Sequence, residues 1–291
     1  VRKMQSKRIS GNRTAEDVLR KHFEKLANQP KEQNKAIIPP PVDLTPPSDV
    51  FMLRYDDFGR ELIKKSNELF QGTKAEIPIG KAQEEVPNMY ILKRLALITA
   101  IYTNQQLKST GLMPIAPLQS EQLLKQGKLP KDPKTYWEDL SLILYDRSKN
   151  GENPKEAQAL YESLKNHILD LRLSASDLES RLLIINSGIE KDQDMPHGVK
   201  PIVLPGFTQV YLHETLKRKG DHKFEYGLEH GLPSISELGT GSRILYMPPE
   251  NKDIGLKVLS RGRVLVLDAW YWNLVNSYSD GRVAFARENT T

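Results

Sequence analysis

Ile254-Gly255-Leu256-Lys257-Val258-Leu259-Ser260-Arg261-Gly262-Arg263-Val264-Leu265-Val266-Leu267 is the densest strand signal in the chain, and its reading decides the fold. It divides into a strand over 254–259, a tight turn at Ser260-Arg261-Gly262 and a second strand over 263–267. Gly262 suits the turn because glycine takes positive φ without steric cost. In the second strand Val264 and Val266 share one face, Leu265 and Leu267 the other. A strand apolar on both faces needs cover on both. Trp270-Tyr271-Trp272 follows, then an Asp280-Gly281 turn and a last short strand over 282–286.

Working outward, Lys200–Leu204 and Phe207–Leu212 read as strands joined by the type II turn pair Pro205-Gly206. Arg243–Met247 is another strand, stopped by Pro248-Pro249. Five or six strands at this short spacing predict a small antiparallel sheet or partly open barrel over 196–291.

Upstream the period changes to helical. Helices are expected over Tyr55–Phe70, Tyr90–Leu107, Ser120–Gln126, Asp132–Tyr145 and Asn153–Leu171. A capping-box pair, Ser176 and Glu179, opens a last one ending near Asn186, with Gly188 as its stop. Tyr90–Leu107 is apolar around most of its circumference and belongs at a centre. The expected fold is α+β: an N-terminal helical domain over 49–190, then the small β-rich domain.

Residues 1–29 read as a basic arm with a docking helix, whose apolar stripe is Val18, Leu19, Phe23 and Leu26. Pro30, Pro39-Pro40-Pro41 and Pro46-Pro47 stiffen a linker over 30–48. Ile37 and Ile38 are its candidate anchors for a partner.

The net charge of +5 is unevenly placed. The first 25 residues hold eight Lys and Arg against three acids, which leaves 34 against 34 in the rest of the chain. A basic tail on a neutral body weakens any argument from pI to nucleic-acid binding by the body. The chain has no Cys, so it has neither disulfides nor thiolate chemistry. Its longest apolar run, Tyr90–Tyr102, spans 13 residues and contains Lys93 and Arg94, too short and too charged to cross a membrane. No apolar region follows the N-terminal basic residues, so no secretory signal is expected.

The candidate chemical motifs are thin. His213, His222 and His230 lie among Glu214, Asp221, Glu225 and Glu229, but their spacing matches no zinc pattern. His197 stands alone. Gly239-Thr240-Gly241-Ser242 could nest an anion, yet it precedes a strand and not a helix. No Ser sits in a nucleophile elbow. No catalytic residue, cofactor or metal site is therefore expected.

Two surfaces remain. Trp270 and Trp272 would share a face if extended, marking a partner surface if exposed. Lys217, Arg218, Lys219, Lys223, Lys257, Arg261 and Arg263 could share one sheet edge with aromatics for base stacking. The function this favours is a non-enzymatic subunit or adaptor of a multiprotein assembly, a secretion or coupling complex for example. It would be cytoplasmic or peripheral to a membrane-bound complex. It would bind partner proteins through the arm, the linker and the β-domain surface. The alternatives are an RNA- or DNA-binding component of a ribonucleoprotein, and an enzyme whose site assembles from scattered residues.

Overall fold

The computed structural model describes residues 50–128, 136–137, 141–249, 253–262, 265–270, 273–275 and 281–287. The basic arm and the Pro-rich linker lie outside them.

Strand β1 (Val50–Met52) leads into helix α1 (Asp57–Phe70). Asp56 caps that helix, its Oδ1 accepting from Gly59 N at 2.8 Å. The long apolar helix breaks at Asn104 into α2 (Ile91–Thr103) and the short α3 (Gln105–Lys108), because the Asn104 side chain caps the second piece. Every residue from Ile91 to Ile101 is buried, as the all-round apolar pattern requires. Strand β2 (Leu112–Pro114) and helix α4 (Pro117–Lys125) follow, α4 starting on Pro117 at its first helical position.

The helix expected over Asp132–Tyr145 is strand where the structure describes it, as β3 (Tyr136–Trp137) and β4 (Ser141–Leu144). Ser141-Leu142-Ile143-Leu144 is buried at every position, and periodicity cannot tell so short an apolar run from a buried helix. Helix α5 (Pro154–Asn166) forms as expected after Asn153 but stops earlier, at His167. The Ser176–Glu179 pair yields only a 3-10 turn over Asp177–Glu179, with no side-chain cap. The remainder is strand β5 (Leu182–Ile185), buried on both faces. Gly188 opens β6 (Gly188–Lys191) and ends no helix.

Strands β7 (Val199–Ile202) and β8 (Gln209–Leu212) flank the Pro205-Gly206 turn, where Gly206 has φ +72°. They do not pair with each other: β7 joins β6 and β8 joins β5. Then come β9 (Asp221–Phe224), β10 (Arg243–Tyr246), β11 (Leu256–Arg261), β12 (Leu267–Asp268), β13 (Gly281–Arg282) and β14 (Ala284–Arg287).

The 254–267 stretch departs from its expected strand–turn–strand form. Strand β11 runs on through Ser260 and Arg261, so these residues are not a turn. The chain reverses after them, with Leu265 N donating to Gly262 O at 2.9 Å. Leu265 itself takes φ +61°, while Gly262 is not among the positive-φ residues. The second strand shrinks to Leu267–Asp268, and Leu265 and Val266 are only half-buried.

Seven strands form one sheet in the order β8-β5-β4-β11-β12-β10-β9. It is antiparallel except for the β10–β12 pair, so the expectation of a purely antiparallel sheet fails there. Strands β4 and β5 sit between β8 and β11, so segments from both sides of residue 190 interleave in it. Likewise β14 sits between β1 and β2 in a three-stranded sheet. The described residues fall within one compact unit with a mixed α+β fold.

Alternate residues of the large sheet fill two cores. Leu142, Leu144, Leu182, Ile184, Leu256 and Val258 pack against α2 and α5. Ile143, Tyr145, Leu183, Ile185 and Leu259 gather on the other face with Phe224, Leu245 and Leu267. The sheet curls around this second core. Laid flat, six strand spacings would separate β8 from β9 by about 29 Å. The chain covers that gap with residues 213–220, four of them in a 3-10 turn (Glu214–Lys217), a reach of only about 25 Å.

Candidate functional site

The basic set expected on one edge is divided by the pleat of β11. Lys257 and Arg261 share the face of Leu259, which turns into the curled sheet. Lys257 is 3% exposed, and its Nζ lies 2.8 Å from Glu152 Oε1. Arg261 is wholly buried, its Nη2 2.8 Å from Glu121 Oε1. Neither can meet a nucleic acid. Lys217, Arg218, Lys219 and Lys223 are exposed, and Lys217 pairs with Glu214. Arg263 lies outside the described residues.

Arg261 belongs to a buried ion cluster at one end of the curled sheet. Glu121 projects from α4, and Arg243 stands at the start of β10. Arg243 grips Glu121 with both terminal nitrogens, Nη1 to Oε2 at 2.6 Å and Nη2 to Oε1 at 2.9 Å. Gly227 N donates to Oε2 at 2.7 Å. Arg243 also donates to the carbonyls of Leu265 and Glu225 and lies over the Phe224 ring. Burial pushes the Glu121 carboxyl up, but Arg261, Arg243 and the Gly227 N–H outweigh it and hold it below its ordinary value. A carboxylate held by so many donors is a fastener and has no proton to transfer.

The remaining candidates separate further. Glu225 Oε2 accepts from Ser242 N at 3.0 Å, so a carboxylate of the chain itself occupies the glycine nest at 239–242. Glu156, on α5, is buried, and neither of its oxygens has a hydrogen-bond partner. His197 Nε2, in the connection between β6 and β7, lies 3.7 Å from Glu156 Oε1, a pairing that the sequence does not reveal. Among the described residues no group of three or more His, Asp or Glu could hold a metal.

The two terminal strands of the large sheet differ. Strand β9 exposes Asp221 and Lys223. Strand β8, Gln209-Val210-Tyr211-Leu212, carries no charge, has β5 as its only strand neighbour among the described residues and leaves Leu212 44% exposed. Its end is held by a histidine cluster. The Tyr211 ring stacks on His230 at 3.6 Å between centroids, and Tyr211 Oη donates to Gln209 Oε1 at 2.8 Å. His213, 2% exposed, donates from Nε2 to Glu229 O at 3.1 Å and accepts Thr215 N on Nδ1 at 3.2 Å. Burial lowers the His213 pKa, and Glu229 and Glu214 only partly offset it. Burial and then His213 lower that of His230.

Of the expected partner-binding residues, Val18, Leu19, Phe23, Leu26, Ile37, Ile38 and Trp272 lie outside the described residues. Trp270 is half-buried against the inner core. Among the described residues no helix is long and apolar enough to cross a membrane. Comparison with protein-family models, with curated proteins and with solved structures finds no match.

Proposed function

We propose that this chain is a non-enzymatic subunit or adaptor of a larger protein assembly, and that a partner's extended segment adds to the sheet along β8. The observation that carries this reading is the uncharged terminal strand with Leu212 exposed beside it. Edge strands that bear no charge, proline or cover invite a further strand, because their outward N–H and C=O groups have no ladder partner. The segment it would take is β-prone and apolar at alternate positions, to lie along Val210 and Leu212. A Lys or Arg beyond Leu212 would meet Glu214 and Glu229, whose side chains are 69% and 50% exposed. The cytoplasmic placement, and the arm and linker as further contacts, belong to the same reading.

The test takes the intact chain and its Leu212→Lys variant through pull-down with nuclease present. The proposal expects a partner that the variant loses, with exchange of the 209–212 amides slowed in the complex. Equal capture by both chains, or unchanged exchange at β8, would overturn it.

A second reading rests on the four exposed cations Lys217, Arg218, Lys219 and Lys223. They fit a phosphate backbone, and nuclease-sensitive, salt-dependent capture would favour that reading.

A further inference from the structure

We propose that Glu156 and His197 hold a divalent transition-metal ion of the zinc class, which ties the start of α5 to the connection between β6 and β7. This site is independent of the β8 edge.

Glu156 lies in the first turn of α5 and is 1% exposed. Among the described residues neither of its oxygens has a hydrogen-bond partner. The helix amides favour negative charge at this end, but these oxygens accept from none of them. An ionised carboxylate out of water needs donors or a countercharge. Among the described residues the charged or polar group that faces it is the His197 ring, whose Nε2 stands 3.7 Å from Oε1. A charge-assisted hydrogen bond would close that gap to about 2.7–2.9 Å. The pair is too far apart for such a bond, and an ion fits between the two atoms. With bonds of about 2.1 Å to each, the angle at the metal is about 125°, roughly 15° wider than tetrahedral.

The backbone holds the imidazole in place. His197 O accepts Lys74 N at 3.1 Å, Gly198 N donates to Met195 O at 3.0 Å, and Asp192 N donates to Gly198 O at 3.0 Å. Gly198 takes φ +73°, and a side chain there would press on Thr73. The histidine thus stands on a closed turn. The nearby lysines are engaged elsewhere. Lys155 Nζ donates to Asp194 O at 3.2 Å, and Lys200 Nζ lies 2.7 Å from Glu190 and 3.5 Å from Asp192. Among the described residues no lysine or arginine pairs with the Glu156 carboxylate.

The donor set selects the ion. One imidazole nitrogen with a carboxylate suits zinc and its neighbours, whereas magnesium and calcium take shells of oxygen. Among the described residues no third His, Asp or Glu joins the pair. The remaining positions fall to water, which reaches the site beside the His197 ring, 19% exposed. Such a site is weaker than one closed by four side chains, and it keeps positions open as catalytic zinc sites do.

Equilibrium dialysis of the intact chain, stripped with chelator and then exposed to zinc, reads the site. We expect one zinc per chain and a Tm rise of about 3 °C or more at a tenfold excess over Kd. His197→Ala and Glu156→Gln should each weaken binding about tenfold or more, since loss of a ligand costs at least what loss of its supporting group does. The His197 side chain is partly in solvent, so its variant reads the site even where Glu156→Gln fails to fold. Magnesium in large excess should leave the zinc in place. A chain that binds no zinc would overturn the proposal. So would zinc retained at full affinity in His197→Ala, which would show an adventitious ion only, or zinc displaced by magnesium.

Discussion

Strand β9 ends one side of the seven-stranded sheet with Asp221 and Lys223 exposed; strand β8 ends the other with no charge and an exposed leucine. The two sides are also anchored differently. On the β9 side, Arg243 of the neighbouring strand is clamped to Glu121 of α4 by two hydrogen bonds. On the β8 side, Leu212 stands opposite Leu182 and Val210 opposite Ile184, apolar against apolar. Charged side chains on an edge discourage further strands, and a buried, directional ion cluster admits only one arrangement. The β9 side is thus closed in both respects. The β8 side has neither guard, and the docking edge proposed above rests on that difference.

The sharpest way to break this contrast is at its strongest fastener. Glu121→Ala removes the carboxylate that Arg243 and Arg261 share and leaves buried positive charge behind. It should cost about 3–5 kcal/mol in urea unfolding. A cost below about 1 kcal/mol would mean that the cluster does not hold the β9 side. On the other side Ile184→Ala should cost about 2–4 kcal/mol, the ordinary loss for a buried aliphatic side chain. It should also raise exchange at β8 more than at β9, since Ile184 backs Val210.

The sequence carries the chemistry of both edges in plain view, but not the fact that they are edges. Asp221 and Lys223 can be read as charged and Gln209–Leu212 as uncharged; which strand lies outermost follows from β4 and β5. Those two hide in apolar runs that fit a buried helix as well as a buried strand. Helices α1, α2 and α5 are legible because of the apolar spacing over Tyr55–Phe70 and Ile91–Ile101 and the Asn153-Pro154 start. Lys257 in an expected strand and Arg261 in an expected turn both look like surface residues. Only the parity with Leu259, once β11 is known to extend through Arg261, turns them inward. Glu121 had no signal at all: a glutamate on a short polar helix becomes a buried anion only when two arginines more than a hundred residues later reach it.

The smaller effects lie at the edges themselves. Leu212→Lys gives β8 the guard that β9 already has. Its side chain is partly in solvent, so stability should change by no more than about 0.5 kcal/mol. Partner affinity should fall about tenfold or more, because the incoming strand meets a charge. Isothermal titration with the captured partner, beside urea unfolding of the variant, separates the two quantities. Loss of stability matching the loss of affinity would mean that Leu212 is a core residue and not a contact.

Lys223→Val makes the opposite exchange and should have the smallest effect. Lys223 stands opposite Ile244 of β10, so valine there gains a cross-strand apolar neighbour. That pair adds a few tenths of a kcal/mol at most, and the melting temperature should rise by about 1–2 °C or stay level. The larger consequence is for association. With Lys223 gone, Asp221 is the charge left on β9, beside the Gly239 N–H that the carbonyl of residue 223 accepts, and β9 comes closer to β8. Sedimentation at rising concentration should show a weak self-association that the wild-type chain lacks at the same concentration. The ion cluster behind β10 is untouched, so the edge stays rigid and any new contact is due to its chemistry alone. If Lys223→Val sediments as wild type while Leu212→Lys keeps its partner, edge charge does not decide which side binds. The contrast between β8 and β9 would then be one of composition without consequence. If instead the valine variant associates and Lys223→Glu does not, the guard is charge itself and not the particular side chain, which is what the comparison of the two edges requires.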